Sequence, residues 1–482
     1  MTTTGASGTS PATRGDDPQL DRRLGVASIV YMVVAGAAPL ATSVAVVPTV
    51  FAASGNPVSP LYFVAAGILL GLFSVGFTLM SRHVQNAGAF YSYIQAGLGK
   101  IPGAGAAALA LVSYSVLLIG TLAYFGVVAS AASKEYLNID AKWWVCVLLL
   151  VVFAGFMAYR DIEVSAKLLA VLLILETLVV LIVDFAIFAQ GGHSGIGASP
   201  LDVTKMLDGA PGLGLTFAFL GFIGFEATAV FRSEAKNPER TIPRATYIAV
   251  ALIGFVYAFT AWCLAIGIGP GQALSVISAD PGSAVNNVAV EYIGTAMKDV
   301  ITILIVTSFV AGVLTFVNVV ARYIFNLSNG GVLPKVLGEV HPKHLAPSKA
   351  SVVVTAISFT AIAGLAIGGV DPLTQIYPWF TGVATLGIIS LMFLTSAAVV
   401  LFHQRNRASH PVWNAVIAPV LSLLGLGFTL YKVIENFDLL VGGQKPANII
   451  FVLAAIVFAL GAGSLALARA RRPEAYEKML EN

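Results

Sequence analysis

Charge is what this 482-residue chain has least of: Asp, Glu, Lys and Arg make up 11% of it, against about 25% in a soluble domain. Its net charge of +3 is too small to argue for a nucleic-acid partner. The two cysteines, Cys146 and Cys263, lie far apart inside apolar runs, so neither a disulfide framework nor a metal-ligand spacing follows. Histidine is sparse too; His341 and His344 share a loop without carboxylate or cysteine company, and no metal or other cofactor is assigned. A GxxxxGK[ST] loop is absent, so ATP does not drive the chain directly. There is no convergent set of nucleophile, base and metal ligands for an enzyme, and there are no polar rings or filter loops for a channel. A transporter subunit that needs a partner stays open.

What fills the chain instead is hydrocarbon. Hydrophobic residues are 57% of it, mean hydropathy is +0.87, and a run of about 20 apolar residues spans a bilayer. Twelve such runs follow one another, near 25–53, 60–80, 102–132, 143–159, 165–189, 213–232, 244–268, 295–327, 350–370, 376–402, 412–433 and 447–470. We number them segments one to twelve. The third and eighth are long enough to tilt or to extend past the membrane. Residues 269–298 form a long outer connection, with a short helix expected over 284–297. The first 23 residues, rich in Thr, Ser, Gly and Pro, read as a disordered tail rather than a signal peptide. All Lys and Arg but Lys134, Lys142, Lys205, Lys298, Lys432 and Lys445 fall on one side of this map. The positive-inside rule then sets both termini in the cytoplasm of a multi-pass plasma-membrane protein.

Two runs are interrupted. Segment one carries Gly36-Ala37-Ala38-Pro39, and segment six carries Gly221 and Gly224. Glycine costs a helix about 1 kcal/mol against alanine, and backbone freed at that depth must face protein or a wet cavity. The two breaks lie five segments apart in helices of opposite direction, the pattern of an inverted-repeat transporter site. The repeats would be residues 24–190 and 191–403, followed by two added helices over 404–470 and a tail over 471–482. Glu226 stands just after the second break. A carboxylate at that depth costs about 2.5–3.5 kcal/mol unless it lines a cavity or pairs. It reads as a proton-sensitive coupling group or a partner for a substrate ammonium, against the plainer role of a structural acid bonded to frayed backbone. Phe219, Phe222 and Phe225 flank the break, with Phe222 as the candidate occluding ring. Arg232, Glu234, Lys236, Arg240 and Arg244, with an Asn237-Pro238 turn and Pro243 at a helix start, suggest a shaped inner gate. The spacings Gly67–Gly71 and Gly364–Gly368 read as helix packing inside the protein.

Three stretches resemble the amino acid–polyamine–organocation superfamily of permeases. They are Gly224-Phe225-Glu226 with Glu234-Ala235-Lys236-Asn237-Pro238-Glu239-Arg240-Thr241-Ile242-Pro243-Arg244, Asn86-Ala87-Gly88-Ala89-Phe90-Tyr91-Ser92-Tyr93, and Arg322-Tyr323 with Asn329-Gly330-Gly331-Val332-Leu333-Pro334. The likeness runs from about residue 20 to 469. It implies an all-α, LeuT-type fold of twelve transmembrane helices in a 5+5 inverted repeat plus two. It also implies alternating access and uptake of an amino acid or related amine, often with a coupling proton.

By the same resemblance, Ala35, Gly36, Ala37 and Ala38 stand where many of these permeases offer backbone amides to a substrate carboxylate. Here that stretch has one glycine and a proline without an N–H, closer to some polyamine and amine importers. Thr307 and Ser308, with Thr315 and Asn318, lie on segment eight, where LeuT-type proteins keep a sodium site or its proton-driven replacement. Single hydroxyls also serve ordinary helix packing. Segment five of several proton-driven relatives carries a lysine, and matching SAKLLAVLLILE onto it sets Glu176 at or near that position. A proton is the natural occupant of such a carboxylate, with sodium or a second substrate amine as alternatives and a permanently protonated structural acid as the plain reading. Asp184, two turns further on, reads as an interfacial residue.

Overall fold

The computed structural model describes residues 25–84, 90–160, 166–226, 228, 235–341, 347–406 and 411–471, with the side chains of 32, 35, 36, 166–170, 406 and 468 excepted. Among the described residues there is no β-strand, and ten helices are long and apolar enough to cross a membrane. Each lies over one of the runs read from the sequence, from Pro60–His83 in segment two to Gln444–Arg471 in segment twelve. The other two runs are the interrupted ones, which hold the shorter helices Pro39–Ser54 and Pro211–Leu220. Segments three and eight are continuous over Lys100–Leu137 and Thr295–Asn329. At 1.5 Å per residue they measure about 57 and 52 Å, well beyond a hydrocarbon core of about 30 Å.

Segments one and six form the middle of the bundle. Segment two packs on seven, ten and eight pack on three, and twelve lies along the outside of three. Small residues set the close approaches. A methyl on Gly67 would touch Phe222 and the Gly254 backbone at 3.6 and 3.7 Å, which brings segments two, six and seven together. Gly364 of segment nine is different: it is exposed, and a methyl there would meet nothing within 4 Å. The internal-packing reading therefore holds for Gly67 and is corrected for Gly364.

Segment seven begins earlier than its hydropathy suggested. The helix runs Pro238–Ile268, with Asn237 preceding it and Pro238 at its first turn, where a missing N–H costs nothing. Pro243 lies inside that helix, not at its start. Lys236, Arg240 and Arg244 are exposed there, whereas Arg232 and Glu234 lie outside the described residues. On the opposite face, the connection after segment seven folds into two short helices, Ala273–Ala279 and Ala284–Tyr292. The second matches the expected one but stops short, because Thr295–Asn329 already belongs to segment eight. Both pack against the part of segment one that follows its break, over Thr42–Ser54. Asn56 fastens the same end: its Nδ2 donates to the carbonyls of Lys205 at 2.8 Å and Asp208 at 3.0 Å, tying segment one to the approach to segment six.

Candidate functional site at the paired helix breaks

The first break follows from Pro39. Proline disfavours helical backbone at the residue before it, and the helix Val26–Gly36 ends there. Ala38 takes a left-handed conformation, φ 44° and ψ 73°, before Pro39 opens the next helix. A freed carbonyl at this depth needs donors, and that of Ala37 has two. The Tyr257 hydroxyl of segment seven donates to it at 2.8 Å, and the Thr42 hydroxyl donates at 2.9 Å. The helix then re-forms through a wide π-turn over Thr42–Val46.

The second break follows from glycine. After Pro211–Leu220 the chain turns through Gly221, and Gly224 takes φ +112°, a region closed to most side chains. Glu226 holds the turn in place. One carboxylate oxygen accepts from the Gly224 N–H at 2.9 Å, and the other accepts from the Tyr114 hydroxyl of segment three. Gly221 faces the first break: a methyl there would sit 3.0 Å from Thr42 Cγ2 and 3.3 Å from the Tyr257 ring. The two broken segments thus meet at a point that leaves little room for a side chain.

Beside this contact lies a cavity of about 80 Å³. At about 10–15 Å³ per water, that is room for a solute of several heavy atoms. Segment one contributes Ala37, Ala38, Ala41, Thr42, Ala45 and Val46, segment three Leu117 and Thr121, and segment six Leu220 and Ile223. Segment eight adds Ser308, Phe309, Gly312 and Phe316, and segment ten adds Tyr377 and Thr381. Among these lining residues none is charged, and most are small or aliphatic. The hydroxyls of Thr121 and Thr381 donate to carbonyls of their own helices, Leu117 at 2.9 Å and Tyr377 at 2.6 Å.

Glu176 stands behind that wall. It is 4% exposed and accepts from the Ser308 hydroxyl at 2.9 Å, so one side chain separates it from the cavity. It is also close enough to Tyr31 and Tyr257 to interact electrostatically, and the buried Tyr31 hydroxyl has no hydrogen-bond partner among the described residues. A bare carboxylate in such a place is costly, so a proton or a cation is its chemical complement.

Of the residues singled out from sequence, Ala37, Ala38 and Ser308 line the cavity, and Glu176 touches one that does. Ala35 and Gly36 end the helix before the break. Thr307 donates to the Leu304 carbonyl at 2.8 Å and does not line the cavity; Thr315 and Asn318 are exposed. Phe222 is fully buried between segments two and seven, its ring 6.3 Å from that of Tyr257. Phe219 is buried as well, and Phe225 packs on Phe73 and Phe77; none of the three rings reaches the cavity. Asp184 requires correction. It is 2% exposed and accepts from the Thr260 hydroxyl at 2.6 Å, because it faces segment seven rather than the interface. Sequence reading missed Thr42, Tyr114 and Tyr257. The one signal was a polar residue recurring in otherwise apolar helices.

Comparison with known proteins shows the family. A family model described as amino acid permease matches residues 24–467. The branched-chain amino acid permease BcaP of Lactococcus lactis subsp. cremoris is 24% identical over 447 residues, which cover 88% of this chain and 91% of that one. The protein of the same name from Bacillus subtilis is 22% identical over 88% and 90%. The low-affinity putrescine importer PlaP of Escherichia coli is 24% identical over 60% of this chain and 65% of its own. With interrupted segments one and six, ten further apolar helices and a family match along almost its whole length, the chain belongs to the amino acid permease family, a family of multi-pass membrane transporters of LeuT-type fold.

Proposed function

We infer that the chain is a secondary active transporter that imports a small amino acid with an apolar side chain by alternating access, driven by protons. One observation carries the substrate reading: the cavity at the paired breaks is walled by alanines and larger apolar residues, with no charged side chain among those that line it. An α-amino acid brings its own pair of opposite charges, which the exposed backbone of two broken helices can receive. A diamine, the cargo named for one relative, would leave a distal ammonium against hydrocarbon, and burying an unpaired charge is costly. Ala37 and Ala38 on one side and Leu220 and Ile223 on the other supply that backbone.

Glu176 is the coupling carboxylate in this reading. Occupied by a proton it is neutral, and Ser308 carries its state to the cavity wall. When either path wets the site, the charged form becomes affordable and the proton leaves. Glu226, held by Gly224 and Tyr114, keeps segment six broken and is the companion acid. Sodium at Glu176 with Ser308 is the alternative occupant. Uptake into proteoliposomes, competed by a panel of aliphatic amino acids, polar amino acids and diamines, tests the substrate. Competition by the aliphatic set supports the reading, and competition by putrescine alone would overturn it.

A further inference from the structure

Segments three and ten have a second cavity on their far side. It measures about 600 Å³ and is bordered by segments three, ten, eleven and twelve. Among its lining residues the only polar side chains are Ser113 and Ser390. Each donates to a carbonyl one turn back on its own helix, Leu109 and Leu386, both at 2.8 Å. A polar solute finds no free donor in that wall, and water needs two to four polar partners to stay. The space opens sideways: Val112, Ile434 and Leu453 all line it and are 38%, 49% and 54% exposed. In a bilayer that exposure is to acyl chains. Toward the outer hairpin, the rings of Phe437 and Phe451 pack at 5.3 Å and close the gap between segments eleven and twelve.

The inner ends of the same helices are cationic. Lys100 begins segment three, Arg405 closes segment ten, and Arg469 and Arg471 close segment twelve. No Asp or Glu occurs in residues 98–112, 386–406 or 456–471. From Lys100 to Leu109, Arg405 to Leu394 and Arg469 to Phe458 in the cavity wall is about 14–17 Å at 1.5 Å per residue, half of a hydrocarbon core of about 30 Å. That is the reach of one leaflet, and basic residues at an inner membrane face attract anionic lipid.

We propose that this cavity binds an anionic phospholipid of the inner leaflet, its acyl chain in the apolar space and its phosphate at the cationic helix ends. The site shares a wall with transport. Gly387 of segment ten lies against Ser113, and a methyl on Gly120 would sit 2.7 Å from Thr381 Cγ2, which borders the substrate cavity. The proposal does not rest on the substrate reading.

The test uses the full chain in phosphatidylcholine vesicles containing phosphatidylglycerol with a photoactivatable group in its acyl chain, followed by peptide mapping. Label should concentrate on peptides over 109–116 and 450–458. It should be lost in Ala454→Trp, which fills the cavity, and kept in Leu460→Trp, which is 68% exposed on the same helix outside it. Excess unlabelled phosphatidylglycerol should compete, and phosphatidylcholine or free oleate should not. Should Ala454→Trp fail to fold, the pair Arg469→Gln and Arg471→Gln gives the second reading, with preference for phosphatidylglycerol lost. Label spread evenly onto the exposed faces of segment nine, or unchanged in a folded Ala454→Trp, would overturn the site. Equal competition by phosphatidylcholine or oleate would overturn the anionic phospholipid, and so would an unchanged preference in the Arg pair.

Discussion

Replacing Gly312 by alanine adds one methyl group to the wall of the cavity proposed for the substrate and disturbs little else. Gly312 lines that cavity, and a Cβ built on it meets nothing within 4 Å. Segment eight is helical there, so the exchange gains about 1 kcal/mol of helix preference. The fold should hold. The cavity is only about 80 Å³, and one methylene in an apolar pocket is worth about 1–3 kcal/mol, or roughly 10–200-fold in selectivity. The largest amino acid that competes for wild-type uptake should therefore lose at least about tenfold in Gly312→Ala, while the smallest changes little. Gly312→Val should extend the exclusion to the next smaller side chain. Gly364→Ala is the control, since Gly364 is equally open but on the outside of segment nine. The assay is inhibition of uptake by a graded aliphatic series. Equal weakening of every member, or no change in Gly312→Val, would refute the placement of the substrate.

Other consequences follow from the breaks. Tyr257→Phe and Thr42→Val each remove one donor from the Ala37 carbonyl and should each cost about 1 kcal/mol. Together they should cost about 1–3 kcal/mol more than the sum, because the carbonyl is then bare. Thermal unfolding of the purified protein reads this out, and simple additivity would show that the carbonyl has another donor. Ala38→Gly should raise the unfolding temperature, since the left-handed backbone at Ala38 costs alanine about 1–2 kcal/mol; a lower temperature would show that its methyl is needed for packing. Cysteines placed at Ser7 and Lys478, in a background without Cys146 and Cys263, should both react only from the cytoplasmic side. Labelling of either from outside would contradict the charge map.

The breaks were legible because they are written in backbone chemistry. Pro39 lacks a donor wherever the chain goes, and Gly221 and Gly224 loosen whatever helix holds them. The partners of the freed groups were not legible, because they come from remote parts of the chain. Tyr257 reaches Ala37 across 220 residues, and Tyr114 reaches Glu226 across 112. The direction of side chains near a break was also hidden. Helical periodicity carries a ring's direction along an unbroken helix, but a turn such as that at Gly221 resets the phase. Leu220 and Ile223 therefore face the cavity, while Phe222 turns toward Gly67 and Gly254. Asp184 was misread for another reason: distance from the membrane edge was used where the partner, Thr260 on segment seven, decides.

The cavity proposed for the substrate and the carboxylate of Glu176 are one side chain apart. Uptake by Glu176→Gln, measured from pH 5 to 8 beside the wild type, tests most directly whether the two are coupled. The substitution keeps the shape of the side chain and fixes it in the neutral form. Wild-type protein should accumulate substrate when protons flow inward, and a sodium gradient alone should not drive it. In Glu176→Gln, accumulation should collapse and its pH dependence should vanish, while exchange of external for internal substrate persists. If Glu176→Gln still concentrates substrate with the wild-type pH dependence, Glu176 is structural and the proton is carried elsewhere.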